Sequence, residues 1–69
     1  MNRINVTING EARAVPAPIT LAGLITHFGL EPRMVVAELN RRIVRRGELD
    51  ATPVADGDSV ELVHFVGGG

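Results

Sequence analysis

The sequence predicts a two-layer α+β domain in which one helix packs on one face of a sheet of four to five short strands. Residues alternate between apolar and polar along Ile4–Ile8, and Ser59–Val66 is rich in β-branched and aromatic residues, which are patterns typical of strands. Between these strands, four apolar residues recur at helical spacing: Leu21, Leu24, Ile25 and Phe28. Because one helix covers only one sheet face, part of the apolar surface of the sheet should be exposed.

The composition restricts both the core and the class of protein. A chain of 69 residues without cysteine forms one domain that neither disulfides nor thiolate-bound metal can stabilise. Apolar residues make up 45% of the chain and include only two phenylalanines, so the core must be aliphatic. The formal net charge of −1 does not favour nucleic acid or anionic membrane as partners. Without a signal or membrane-spanning pattern, we expect a soluble cytoplasmic protein.

The first two strands are predicted to form a hairpin. Asn9-Gly10 directly follows the first strand and is typical of a type I′ turn, in which both central residues need a positive φ. The return strand is predicted over Glu11–Val15. Pro16 and Pro18 are expected to end it, because proline has no N–H to donate to a sheet ladder.

The helix is predicted over about Leu21–Phe28. Thr20 is a candidate N-cap, and Gly29 lies where a left-handed residue is needed to end a helix, with Leu30 as the hydrophobic contact that follows. His27 lies off the apolar stripe. It is interpreted as a solvated surface residue rather than a metal ligand, because no second ligand lies one helical turn away.

A third strand is predicted over Met34–Leu39 and is apolar on both faces for most of its length. Asn40–Arg42 then forms a tight connection to a short strand at Ile43–Val44. The only dense charge cluster, here called the arginine cluster, lies in this region: Arg41, Arg42, Arg45 and Arg46. It is interpreted as a solvated hairpin edge that charge protects from aggregation, with docking of an acidic partner as the alternative.

The segment 47–55 is predicted to be irregular apart from a short turn around Glu48-Leu49. Leu49 and Val54 are expected to anchor this segment in the core. Asp56-Gly57-Asp58 is predicted to form a turn before the last strand. Its two carboxylates do not follow the spacing of a calcium-binding EF-hand loop, so no metal site is expected there.

Three glycines end the sequence directly after the last strand. Because glycine has no Cβ, Gly67-Gly68-Gly69 would form a slender, extendable tail whose terminal carboxylate no side chain shields. Such a tail suits insertion into a narrow channel of another protein, where the carboxylate itself reacts. A frayed terminus and a linker scar are the alternatives. We therefore divide the chain into a folded domain, residues 1–66, and a flexible tail, residues 67–69.

No constellation of side chains in the sequence predicts catalysis. His27 and His64 have no cysteine partner and no convincing Ser/Asp arrangement beside them. The chain is therefore not expected to be an enzyme by itself, nor to bind a metal or a cofactor.

Three stretches carry a resemblance to a known family: Ala37–Val44, Asp56–Val63 and Val66–Gly69. Together with Asn9-Gly10-Glu11, they make the chain similar over essentially its whole length to ThiS, the family of sulfur carrier proteins of thiamine biosynthesis. The resemblance implies a β-grasp, or ubiquitin-like, fold with a mixed sheet. Arg45 departs from the family, which commonly has proline at this point. The related small subunit of molybdopterin synthase typically carries a Pro-Pro pair before its glycines, and this chain lacks it.

The resemblance also implies a mechanism and a set of partners. An ATP-consuming, E1-like adenylating enzyme would activate the carboxylate of Gly69, and a sulfur donor protein would convert it to a thiocarboxylate for delivery to thiazole synthase. Gly67 and Gly68 would supply reach into a partner's active site. Strand alternation, independently of the resemblance, places Val63 and Phe65 on the sheet face opposite Val60 and Leu62, which the helix should leave exposed. Together with Val66, which is next to the tail, they are expected to bind the partners.

Other functions remain open. The chain could carry sulfur for another pathway, such as molybdopterin or cysteine synthesis. It could instead be a ubiquitin-like modifier attached to lysines of target proteins, since its own lack of lysine forbids lysine-linked chains but not single conjugation. A structural β-grasp domain with an accidental glycine end is the third possibility.

Overall fold

The computed structural model describes residues 2–65, which form one helix on one face of a mixed five-stranded sheet. In chain order the elements are β1 (Asn2–Ile8), β2 (Glu11–Ala17), β3 (Ile19–Thr20), α1 (Leu21–His27), β4 (Val35–Leu39), β5 (Arg42–Val44), β6 (Pro53–Val54) and β7 (Ser59–His64). The main sheet has the order β2-β1-β7-β4-β5, and β3 pairs with β6 in a separate two-stranded sheet. The pairing of β1 with β7 is parallel, whereas the other neighbours in the main sheet are antiparallel. This arrangement confirms the predicted α+β layers.

The β1–β2 hairpin forms as predicted, with positive φ angles of 49° at Asn9 and 86° at Gly10. The prediction that Pro16 ends the second strand is wrong, because β2 continues to Ala17. Hydrogen bonds show why the proline is tolerated. The odd-numbered residues of β1 bond toward β7 and its preceding turn, so the even-numbered ones bond to β2. Pro16 lies opposite Arg3 and therefore at a position where the ladder needs no N–H.

Both ends of α1 are capped by the residues that the sequence predicts. The side chain of Thr20 accepts a hydrogen bond of 3.1 Å from the N–H of Gly23. At the other end Gly29 has a φ of +80°, and the N–H of Leu30 donates to the carbonyl of Ile25 at 3.1 Å, as in a Schellman motif. The helix ends at His27, one residue earlier than predicted, with Phe28 as its C-cap.

The core lies between α1 and the sheet, and it is aliphatic as expected. Its buried members come from the helix, the sheet and the connections: Val6, Val15, Leu21, Leu24, Ile25, Val35, Ala37, Leu49, Val54, Val60 and Leu62. Phe28 is partly buried against this cluster, and the guanidinium of Arg13 lies 5.9 Å from the centre of its ring. The helix stripe therefore packs on the strands as the sequence predicts.

The second half of the chain agrees with the predictions less closely. Leu49 and Val54 are buried as expected, and the turn predicted around Glu48-Leu49 forms as a 3₁₀ helix over Arg46–Ala51. A second 3₁₀ helix, at Pro32–Met34, is not predicted by the sequence. Met34 consequently precedes β4 rather than opening it. The strand pairing of β6 with β3 is not predicted by the sequence, because two-residue strands carry no periodicity.

Both carboxylates of the turn before β7 accept hydrogen bonds from backbone N–H groups. Gly57 has a φ of +87°, and Oδ1 of Asp56 accepts a hydrogen bond of 2.8 Å from the N–H of Asn5. Oδ2 of Asp58 accepts a bond of 2.8 Å from the N–H of Ala55. Asp56 therefore holds the turn against β1, and Asp58 stabilises the turn itself.

The sequence predicts a last strand over Ser59–Val66, whereas β7 ends at His64. Val66 and the glycine tail lie outside the described residues, so the division of the chain at residue 66 stays a prediction. In residues 2–65 no helix has the length and apolar character needed to cross a membrane.

Candidate docking site at the end of β7

Four exposed apolar residues lie at the end of β7, where the described chain approaches the glycine tail. We call this set the docking patch: Met34, Val36, Val63 and Phe65. The exposed fractions are 57% for Val63 and 54% for Phe65. Large apolar side chains that gather at one place on the surface are typical of protein-binding sites.

The pairing of β4 with β7 brings the members of the docking patch together. Val36 and Val63 are direct cross-strand partners. The N–H of Phe65 donates to the carbonyl of Met34 at 2.8 Å, which extends the ladder by one residue beyond β7. Because Val35 and Leu62 point into the core, strand alternation turns Val36 and Val63 to the face that α1 does not cover.

The exposure predicted for Val63 and Phe65 is confirmed, and their role in binding partners stays a prediction. Val66, Gly67, Gly68 and Gly69 lie outside the described residues. Sequence reasoning missed Met34 and Val36 as members of the patch. Their strand appears apolar on both faces, and only the register of β4 against β7 shows which residues join Val63.

The charged residues near this face are unevenly distributed. Glu38 and Glu61 are cross-strand partners next to the Val36–Val63 pair and point to the same side of the sheet. The four residues of the arginine cluster, at the β4–β5 turn and beyond it, are solvent-exposed, and none of them forms an ion pair with a carboxylate of residues 2–65. The structure therefore agrees with a solvated edge, and docking of an acidic partner stays untested.

The described residues offer little else that carries chemistry. Within residues 2–65 no three His, Asp or Glu side chains are grouped so that they could hold a metal ion. His27 is exposed and contacts the ring of Phe28 edge-on, with the ring centres 5.2 Å apart. His64 is exposed at the end of β7. What the site can do, as far as the described residues show, is present an apolar surface beside the end of the chain.

One helix on a mixed five-stranded sheet, in which the last strand is central and lies between β1 and β4, defines a β-grasp, or ubiquitin-like, protein. The crystal structure of the thiamine biosynthesis protein ThiS from Geobacter metallireducens has this fold. It matches with a TM-score of 0.80 and 35% sequence identity, over 96% of this chain and 100% of that chain. The family model described as the ThiS family matches residues 6–69. The chain belongs to the ThiS family.

Relatives in sequence agree with this assignment. The sulfur carrier protein ThiS of Bacillus subtilis is 36% identical over 50 residues, which cover 72% of this chain and 76% of that protein. A thiazole synthase of Magnetococcus marinus is 38% identical over 66 residues, which cover 96% of this chain. The chain spans only 20% of the length of that thiazole synthase. The family and fold predicted from the sequence are confirmed, and the comparisons support a sulfur-carrier role in thiamine biosynthesis.

Proposed function

We propose that this chain is a sulfur carrier of thiamine biosynthesis and that Gly69 carries the sulfur as a thiocarboxylate. The observation that carries the proposal is the family match, which runs through the glycines to residue 69. The relative named sulfur carrier protein ThiS supports it, as does the exposed docking patch at the end of β7. The chain contains no cysteine, so a carried sulfur needs a position other than a thiol side chain.

The chemistry requires activation, because a carboxylate is a poor electrophile. An adenylating partner would join the carboxylate of Gly69 to AMP and release pyrophosphate from ATP. A hydrosulfide equivalent from a sulfur donor protein would then attack the carbonyl carbon, form a C–S bond and expel AMP. In this scheme the partner binds and consumes ATP. The present chain supplies the carboxylate that reacts and the surface by which the chain binds to the partner.

The docking patch would bind the adenylating enzyme and, in a later step, a thiazole synthase. Val63 and Phe65 are the members of the docking patch closest in sequence to the tail, and Val36 lies beside Val63 in the sheet. An aromatic anchor surrounded by aliphatic side chains is a common binding hot spot. Anchoring the chain here would leave residues 66–69 to span the remaining distance to the reacting atoms, at up to about 3.6 Å for each residue.

The proposal requires a free carboxylate on Gly69, and the intact mass of the protein purified from its own cells tests that requirement. The purified protein is then incubated with the adenylating enzyme, ATP and sulfide. We expect a mass increase equal to the replacement of one oxygen by one sulfur, and fragmentation should place it on the last residue. Sulfur at any other residue, or conjugates of the chain with lysines of other proteins in its place, would contradict the proposal.

Two leucine variants make the test specific. Gly69→Leu should block thiocarboxylate formation, because a channel shaped for glycine would not admit the side chain. Gly47→Leu is the matched control, since Gly47 is exposed and a Cβ built on it would meet nothing within 4 Å. Formation of the thiocarboxylate by Gly69→Leu at the full rate would overturn the assignment of the reacting residue.

A further inference from the structure

The side chain of Asn9 takes the place of a missing strand residue next to β7. The parallel pairing of β1 with β7 ends at the Ile8–Val60 pair. Beyond it, the N–H of Asn9 donates to the carbonyl of Val60 at 2.9 Å. Oδ1 of Asn9 then accepts from the N–H of Leu62 at 2.7 Å, and Nδ2 donates to the carbonyl of Leu62 at 3.1 Å. One carboxamide therefore satisfies both backbone groups of Leu62.

Asparagine is well suited to this position for two independent reasons. Its φ of +49° lies in the left-handed region, which asparagine tolerates better than most residues. Its carboxamide also offers a donor and an acceptor at once, whereas a carboxylate only accepts. The turn residue therefore both closes the β1–β2 hairpin and holds a strand that lies more than fifty residues later in the chain.

This contact lies at the functional end of β7. Leu62 is buried, and its neighbour Val63 belongs to the docking patch. On the other side, β4 pairs with β7 as far as His64. Without Asn9, the end of β7 would be held by β4 alone, and the open N–H and carbonyl of Leu62 would be left to water.

We propose that Asn9 is a positioning residue that holds the end of β7 in the sheet, so that Val63 and Phe65 are presented to the activating enzyme in one orientation. This inference rests on the proposed function. When the end of β7 is ordered in every molecule, partner binding requires no ordering step. When it is ordered in only a fraction of molecules, the apparent affinity falls to that fraction of its full value.

The chain contains a matched control for this residue. Asn40 occupies the equivalent place in the β4–β5 turn, with a φ of +52°, and its Oδ1 accepts from the N–H of Ser59 at 2.9 Å. Asn40 therefore holds the beginning of β7, and Asn9 holds its end. The same substitution at either residue removes a similar contact from the same strand, but only one of them lies beside the docking patch.

The test compares Asn9→Gly with Asn40→Gly in the full chain. Glycine adopts a positive φ freely, so both turns remain possible and only the side-chain contacts are lost. With the activating enzyme and ATP, Asn9→Gly should raise the KM for the carrier by about three- to tenfold, the reciprocal of the ordered fraction. The kcat should stay unchanged, because the saturated complex restores the strand end. Asn40→Gly should leave both constants unchanged.

Equal changes in KM for the two variants, or a change in kcat alone, would overturn the inference. Hydrogen exchange in the free protein provides a readout that does not depend on the proposed function. The Leu62 amide should exchange faster in Asn9→Gly than in Asn40→Gly. If the unmodified chain is not a substrate of the enzyme, the proposed function fails, and equal exchange of Leu62 in both variants would separately overturn the role of Asn9.

Discussion

Glu38 and Glu61 lie directly opposite each other on β4 and β7, on the sheet face that α1 leaves uncovered. Within residues 2–65 the ion pairs are Arg13–Glu11 and Arg33–Glu31, so neither of the two facing glutamates has an arginine partner there. Like charges at directly opposed positions destabilise a sheet. The free protein therefore keeps an unfavourable pair in the middle of its exposed face.

Removing one of these charges should stabilise the fold. We expect Glu61→Gln to raise the free energy of unfolding by about 0.2–1 kcal/mol, the range for cross-strand pairs. Denaturant melts at low ionic strength measure the gain, which should shrink in high salt because screening weakens the repulsion between exposed charges. Glu48→Gln, at an exposed glutamate in a 3₁₀ turn, is the control for a general change of net charge. An equal gain in the control would remove the cross-strand explanation.

Truncating the helix stripe should cost a large part of the total stability. Leu24 is completely buried in the core between α1 and the sheet. We expect Leu24→Ala to lower the free energy of unfolding by about 2–5 kcal/mol, through lost burial and the cavity that remains. Ile43→Ala is the control, since Ile43 is an aliphatic residue that is 70% exposed. Similar losses in the two variants would mean that the helix packs through a different face.

The sequence predicts those parts of this fold that depend on local rules. Asn9-Gly10 predicts the turn, Thr20 and Gly29 predict the ends of the helix, and the apolar stripe predicts the face of α1 that is buried. Each signal comes from residues that are close in the chain, and each has one physical cause. The error at Pro16 has a different origin. Whether proline is tolerated depends on two properties of the tertiary arrangement. Its strand must lie at an edge of the sheet, and its nitrogen must face away from the neighbouring strand.

The candidate site also has some features that local sequence patterns predict and others that depend on the tertiary arrangement. Exposure of Val63 and Phe65 could be predicted, because strand alternation and a single helix leave one sheet face uncovered. Val36 could not be assigned to the docking patch, because the pairing of β4 with β7 sets which residues lie side by side. The contact of Asn9 with Leu62 spans most of the chain and has no periodic signal in the sequence. Long-range hydrogen bonds of this kind depend on the folded arrangement of the strands.

The β4–β5 turn contains a residue that is strained by its own side chain. Arg41 has a φ of +72°, which costs a residue with a Cβ about 1–2 kcal/mol. Arg41→Gly should relieve this strain, and the greater chain entropy of glycine in the unfolded state offsets part of the gain. We expect a net stabilisation of about 0.5–1 kcal/mol in denaturant melts. Arg42→Gly is the matched control, because Arg42 lies in β5, where glycine should destabilise.

Substituting each of the two phenylalanines should show that one contributes mainly to partner binding and the other mainly to stability. Phe65 is half exposed in the docking patch, whereas Phe28 is partly buried against the core beneath the guanidinium of Arg13. We expect Phe65→Ala to weaken binding to the adenylating enzyme by about tenfold or more, as for an aromatic hot spot. Its effect on the free energy of unfolding should stay within about 0.5 kcal/mol. Binding is measured by titration and stability by denaturant melts on the same preparations.

Phe28→Ala should show the opposite pattern. Loss of its ring removes packing against the helix stripe, so the free energy of unfolding should fall by about 2 kcal/mol or more. Under conditions in which this variant remains folded, its affinity for the enzyme should equal that of the unchanged chain, since Phe28 lies on the helix side of the sheet. If Phe65→Ala instead unfolds the domain while the folded fraction binds normally, Phe65 belongs to the core, and the docking patch would have to be centred on Val36 and Val63.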